Sequence, residues 1–190
     1  MVGLLKTLFG HGKRGQSQRK RYFSIVRALD SLRNRDDVRL GQKAGVVFHP
    51  TKSEFFCNLN SKLQYMPNMS VRNINNPYEI KDDTFGTRWV IANNSHWEEL
   101  ADTVHVIGET ITQNGHGDRI LAAVFQIDFE GKNAYWIYSL KHGNYSPFVP
   151  ANGQLRDNDT EIRLGALMEE EQIPVERNLE QWYALWGIPF

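Results

Sequence analysis

Apolar positions along the chain fall into two periods. "YFSIVRALDSLRN" (22–34) places Phe23, Val26, Leu29 and Leu32 at helical spacing and predicts a first helix. "KAGVVFHP" (43–50) is a short apolar run stopped by Pro50 and predicts a buried strand. "SEFFCNLNSKLQYM" (53–66) gathers Phe55, Phe56, Leu59 and Leu63 on one helical face, with Ser53 as candidate cap, although its aromatics also suit a strand. "MPNMSVRNINNPYEI" predicts loop with at most a short strand, and "FGTRWVIANN" (85–94) alternates in part, as a strand does. The clearest helix starts at Ser95, where Glu98 completes a capping box. Trp97, Leu100, Val104, Ile107 and Ile111 form its apolar stripe, and Asn114-Gly115 supplies a left-handed stop.

"RILAAVFQIDF" and "AYWIYSL", joined by "EGKN", predict a β-hairpin, and "YSPFVP" predicts an edge segment closed by Pro147 and Pro150. "DNDTEIRLGALMEEE" (157–171) predicts a helix with an acidic first turn, and "NLEQWYALWG" a last short helix capped by Asn178. A hairpin is antiparallel, so the expected class is α+β, an antiparallel sheet packed against helices, preceded by a short amphipathic segment.

The 190 residues suit a single domain with a tail, and 41% hydrophobic against 23% charged residues is ordinary for a globular chain. A net charge of zero conceals a division. Residues 1–35 carry nine Lys or Arg against one acid, a net of +8, and the remainder carries −8. The opening "MVGLLKTLFGHGKRGQSQRKR" is apolar first and basic afterwards, the reverse of a secretory signal. Residues 1–21 therefore read as a basic, amphipathic arm and 22–190 as the domain. Leu4, Leu5, Leu8 and Phe9 share one short helical face, with Lys6, Lys13, Arg14, Arg19, Lys20 and Arg21 around it and after it. Three destinations are open to this arm: an anionic membrane surface, packing on the domain with the basic run as solvated linker, or nucleic acid. The acidic body disfavours the last. No stretch reaches the roughly 18 apolar residues that span a bilayer, and the single Cys57 allows no internal disulfide. A cytoplasmic protein, peripheral to the inner face of the membrane where the arm reaches it, is the expectation.

The pattern offers little for catalysis. No HExxH, Cys/His cluster, P-loop or nucleophile elbow is present. "NGHGDR" follows a helix instead of opening one, which suits a turn and not a phosphate cradle. His105 and Glu109, four apart, read as an exposed pair, and Asp157 and Glu161 as cap and solvated charge. Cys57, His105 and His142 are the candidates for a small enzyme or ligand binder, should the fold unite them. With no cofactor or metal motif, a non-enzymatic protein is the expectation. Trp182, Tyr183, Trp186 and Phe190 crowd the C-terminal end, either as partner anchors or as a seal on the core.

The same region carries a family pattern. Arg156-Asp157-Asn158, an acidic-apolar helix, Ile173-Pro174-Val175-Glu176, Trp182 and Trp186-Gly187 resemble the end of the PspA-associated PspAB family. "MVGLLKTLFG", "VVFHP", "FGTRWVIA" and "YSPFVP" extend the resemblance over nearly the whole chain, which differs in a longer basic linker and in "NINNPYEI". The resemblance implies a cytoplasmic accessory protein of phage-shock-type envelope-stress systems, and the charge division with the lack of assembled catalytic groups points to an adaptor or chaperone-like module. Its implied partners are PspA, a membrane-binding coiled-coil protein, or a membrane metalloprotease of the HtpX type, and it brings no catalytic residues. The order of elements is also similar to that of YbjN and type III secretion chaperones, a likeness of fold alone.

Overall fold

The computed structural model describes residues 13–64 and 78–190. Helices α1 (Lys13–Tyr22), α2 (Ser24–Arg27) and α3 (Leu29–Arg33) lead into the long strand β1 (Val38–Phe48). Short helices α4 (Glu54–Cys57) and α5 (Leu59–Gln64) precede strands β2 (Tyr78–Asp82) and β3 (Arg88–Asn93). Helix α6 (Trp97–Ile111) follows, then strands β4 (Ile120–Phe129), β5 (Lys132–Ser139) and β6 (Asn144–Phe148). A two-residue pairing of β7 (Pro150–Ala151) with β8 (Leu155–Arg156) leads to α7 (Asn158–Glu170). The expected α+β class holds. Six antiparallel strands form one sheet in the order β2-β3-β1-β4-β5-β6.

Successive side chains of a strand point to opposite faces, and here both faces are apolar. Val46, Phe48, Val90, Ala123, Phe125, Trp136 and Tyr138 belong to the main core, under α1–α3, α6 and α7. Their neighbours Val47, Trp89, Ile91, Ala122, Val124, Tyr135, Ile137 and Phe148 form a second buried cluster on the reverse. That cluster is covered by Ala184, Leu185, Trp186, Ile188 and Phe190 of the C-terminal segment.

Several elements match their sequence signals. The whole predicted α6 stripe is buried, and Gly115 at φ +85° ends the helical run. Ser53 caps α4, its hydroxyl accepting from the Phe56 amide. The β4–β5 hairpin turns in only two residues, Glu130 and Gly131, both at positive φ as a type I′ turn requires. The remainder of "EGKN" is strand.

Four expectations need correction. The α6 N-cap is His96, not Ser95; Asn94 Oδ1 accepts from the His96 amide and closes the turn instead. The helix over 22–34 is broken after Tyr22, whose carbonyl is taken by the Tyr145 hydroxyl. β1 starts five residues before the expected strand, because its exposed first half carries Arg39, Gln42 and Lys43. The last helix shrinks to the 3₁₀ turn Leu179–Gln181, still capped by Asn178. A helix this short is marginal, and the residues after it pack instead on the apolar sheet face through Ala184, Leu185, Trp186, Ile188 and Phe190.

Candidate partner-binding surfaces

Helix α1 is bound to the body and is not a free linker where it is described. Its last turn holds Arg19, Lys20 and Arg21, where the helix dipole favours cations. Gln18 is buried. Its carbonyl accepts from Tyr138 Oη at 3.1 Å, and its amide reaches the Leu140 carbonyl at 3.5 Å. Arg21 Nε donates to the Gly143 carbonyl at 2.7 Å, and Tyr22 Oη to the Ala101 carbonyl at 2.9 Å. These bonds fix α1 against α6 and the β5–β6 turn, with Arg21 at the turn that carries exposed Lys141 and Arg19 over the Phe23 ring; Arg19, Lys20 and Arg21 are all exposed. None of these four forms an ion pair among the described residues, whereas Arg33, Arg35, Arg88, Arg156 and Arg163 all do. Lys13 and Arg14 lie in the first turn of α1. Leu4, Leu5, Lys6, Leu8 and Phe9 lie outside the described residues.

Cys57, His105 and His142 sit in three separate environments. Cys57 is exposed, in a shallow surface depression with Pro50, Lys52, Phe56 and Arg88. His142 Nδ1 lies 3.7 Å from a Glu176 oxygen. His105, expected on the surface with Glu109, is only 4% exposed and packs its ring against Tyr22 and Phe23. Burial, with a smaller contribution from the Arg19 charge, pushes its pKa down to about 4. The unfolded imidazole titrates near 6.5, so between these values the unfolded state binds a proton that the folded state does not. Stability is therefore lost as pH falls from 6.5 towards 4, by about 3 kcal/mol. Urea titrations at pH 7 and pH 4.5 will show that loss, and His105→Phe will remove most of it. An unchanged pH slope in His105→Phe contradicts this assignment. Among the described residues no group of three His, Cys, Asp or Glu is placed to hold a metal ion.

The C-terminal motif residues form a knot. Asp157 caps α7 through the Thr160 amide, and the Lys132 ammonium bonded to it holds its carboxyl down at about 2. Glu161, expected to be solvated, is 2% exposed. It accepts from Arg156 Nη2 at 2.7 Å and from the Val149 amide at 2.9 Å. Arg156 Nη1 reaches onward to the Trp182 carbonyl, and its guanidinium lies 5.8 Å from the centre of the Phe148 ring. Trp182 is buried over Gly165, where a Cβ would come within 2.8 Å of the indole, and its Nε1 donates to the Glu176 carbonyl at 2.7 Å. Trp186 packs edge-on against Phe148, and Phe190 against Trp89 and Tyr135. Of the four C-terminal aromatics proposed as anchors, only Tyr183 is exposed, at 64%. Arg156 and Glu161 escaped the sequence reading as a pair, although the "RDN" triplet held half of it.

The family model of PspAB, "PspA associated protein B", matches residues 2–190. No curated protein and no solved structure matches the chain, so the likeness to YbjN and secretion chaperones has no support from a match. No described helix is long and apolar enough to cross a membrane.

Proposed function

The chain belongs to the PspA associated protein B family, and from this premise we propose that it is a non-enzymatic accessory protein of a phage-shock-type envelope-stress system. It acts as an adaptor or chaperone-like module. It associates with a PspA-like protein and turns the cationic surface of α1 towards anionic lipid. The observation that carries the membrane part is the fixed position of the exposed cations Arg19, Lys20 and Arg21 on α1, which Arg21 ties to the turn that carries exposed Lys141. Cations held on a docked helix lose little further freedom on binding, and each is worth roughly 1 kcal/mol near an anionic bilayer. The non-enzymatic reading draws on the separation of Cys57, His105 and His142.

Flotation with phosphatidylglycerol-containing vesicles tests the membrane part. The full chain is expected to float at low salt, and less at physiological salt, where the Debye length is about 8 Å. Reversal of Arg19, Lys20 and Lys141 to Glu should weaken binding by roughly tenfold or more. Equal flotation of the native and charge-reversed chains contradicts the role of this surface.

A further inference from the structure

The second face of the sheet is closed by residues from 184 to 190, a segment outside every strand ladder. Neighbouring strands of the sheet are joined by backbone ladders. Among the described residues no backbone hydrogen bond ties 183–190 to the sheet; the body gives this segment one bond, Tyr135 Oη to the Phe190 carbonyl at 2.6 Å. The segment is otherwise held by side chains seated in fixed places. The Phe190 ring stands above Gly45, where a Cβ would come within 3.3 Å of it, and meets Trp89 and Tyr135 edge-on. Trp186 meets Phe148 edge-on, and Gly187, at φ +74°, passes beneath the exposed Phe85. Upstream, Trp182 is locked by Arg156 and Glu176. Release of the strap therefore stops at residue 182 and leaves the helical core closed.

A segment that turns at Trp186-Gly187 and is held by two aromatic anchors and one carbonyl bond is seated on the sheet as a bound peptide is seated on a folded domain. What the strap conceals is an apolar surface that includes Trp89, Ile91, Val124, Tyr135 and Ile137. A patch of that kind marks an interaction site once uncovered.

We propose that this groove, floored at Gly45 and walled by Trp89 and Tyr135, is a docking site for an apolar peptide segment of a partner protein that turns between two bulky aromatic anchors four residues apart. Residues 183–190 occupy it in cis until that segment displaces them. The partner's anchors take the places of Trp186 and Phe190, and Tyr135 donates to its backbone carbonyl. The inference rests on the accessory-protein reading for the existence of a protein partner.

A labelled peptide with the sequence of residues 183–190 serves as probe. Full-length Trp186→Ala/Phe190→Ala chain, checked for its native circular-dichroism spectrum, is expected to bind the probe saturably. The native chain, whose own strap competes, should bind at least about tenfold more weakly. Adding Tyr135→Phe to the double variant should weaken the probe severalfold, and a probe with both aromatics changed to Ala should not bind. A folded double variant that ignores the probe, or binds the Ala probe equally well, overturns the proposal. Should the double variant not fold, hydrogen exchange on the native chain decides. Amides of residues 183–188 and 190 should exchange far faster than those of β4 and β5, and protection equal to the sheet overturns the proposal. Neither lipid nor PspA is present, so failure here leaves the membrane and PspA readings standing.

Discussion

Glu161→Ala should lower stability by about 3–5 kcal/mol, the cost of removing one partner from a buried ion pair. The carboxylate is almost wholly enclosed, and its partner Arg156 is only 23% exposed. Alanine leaves that guanidinium without its main counter-charge and the Val149 amide without an acceptor. Two costs add: an uncompensated charge and an unsatisfied buried donor. Glu161→Gln keeps an acceptor for Val149 and should cost less, about 1–3 kcal/mol. Urea denaturation followed by circular dichroism measures both. A Glu161→Ala midpoint within error of the native chain contradicts the knot.

Trp182→Ala is expected to cost about 3–5 kcal/mol as well, the range for deleting a buried tryptophan. The indole fills the space over Gly165, which no larger residue could share without a shift. Alanine opens a cavity there and forfeits the bond from Nε1 to the Glu176 carbonyl. The neighbouring Tyr183→Ala should stay within about 0.5 kcal/mol, since that ring is mostly in solvent and bonds only to Gln181. Thermal melts of the two variants separate a structural Trp182 from an exposed Tyr183. Equal effects would mean that residue 182 is not seated as described.

The contrast between these adjacent aromatics shows where sequence reasoning reached its limit. The α6 stripe and the β4–β5 hairpin are legible because each buries one face and leaves a clean period. β3 is half-legible. Trp89 and Ile91 face one cluster, Val90 and Ala92 the other, and burial on both sides erases the alternation of apolar with polar that marks a half-exposed strand. The C-terminal segment misleads for a related reason. "WYALWG" looks helical by spacing, but a non-helical path with a turn at Trp186-Gly187 covers a sheet face that the hairpin pattern alone does not reveal to be apolar. Glu161 reads as a solvated charge because spacing cannot tell which carboxylate of an acidic first turn is folded inward. Its partners, Arg156 and the Val149 backbone, come from β8 and from the residue just after β6. His105 is a similar case. Its position on the helix is predictable, but the rings of Tyr22 and Phe23 that enclose it come from a segment whose docking is a tertiary event. The family pattern reached further than the periodicity, because "RDN", Trp182 and Trp186-Gly187 are the residues that fasten the last segment to the body.

Titration of the purified full chain with PspA, read by isothermal calorimetry and checked by analytical ultracentrifugation, bears most directly on the accessory role. Saturable binding with fixed stoichiometry, and no chemical change in either protein afterwards, is the expected result. Absence of any complex at concentrations of about 100 μM, where even an affinity of −6 to −7 kcal/mol (about 10–50 μM) would register, contradicts it.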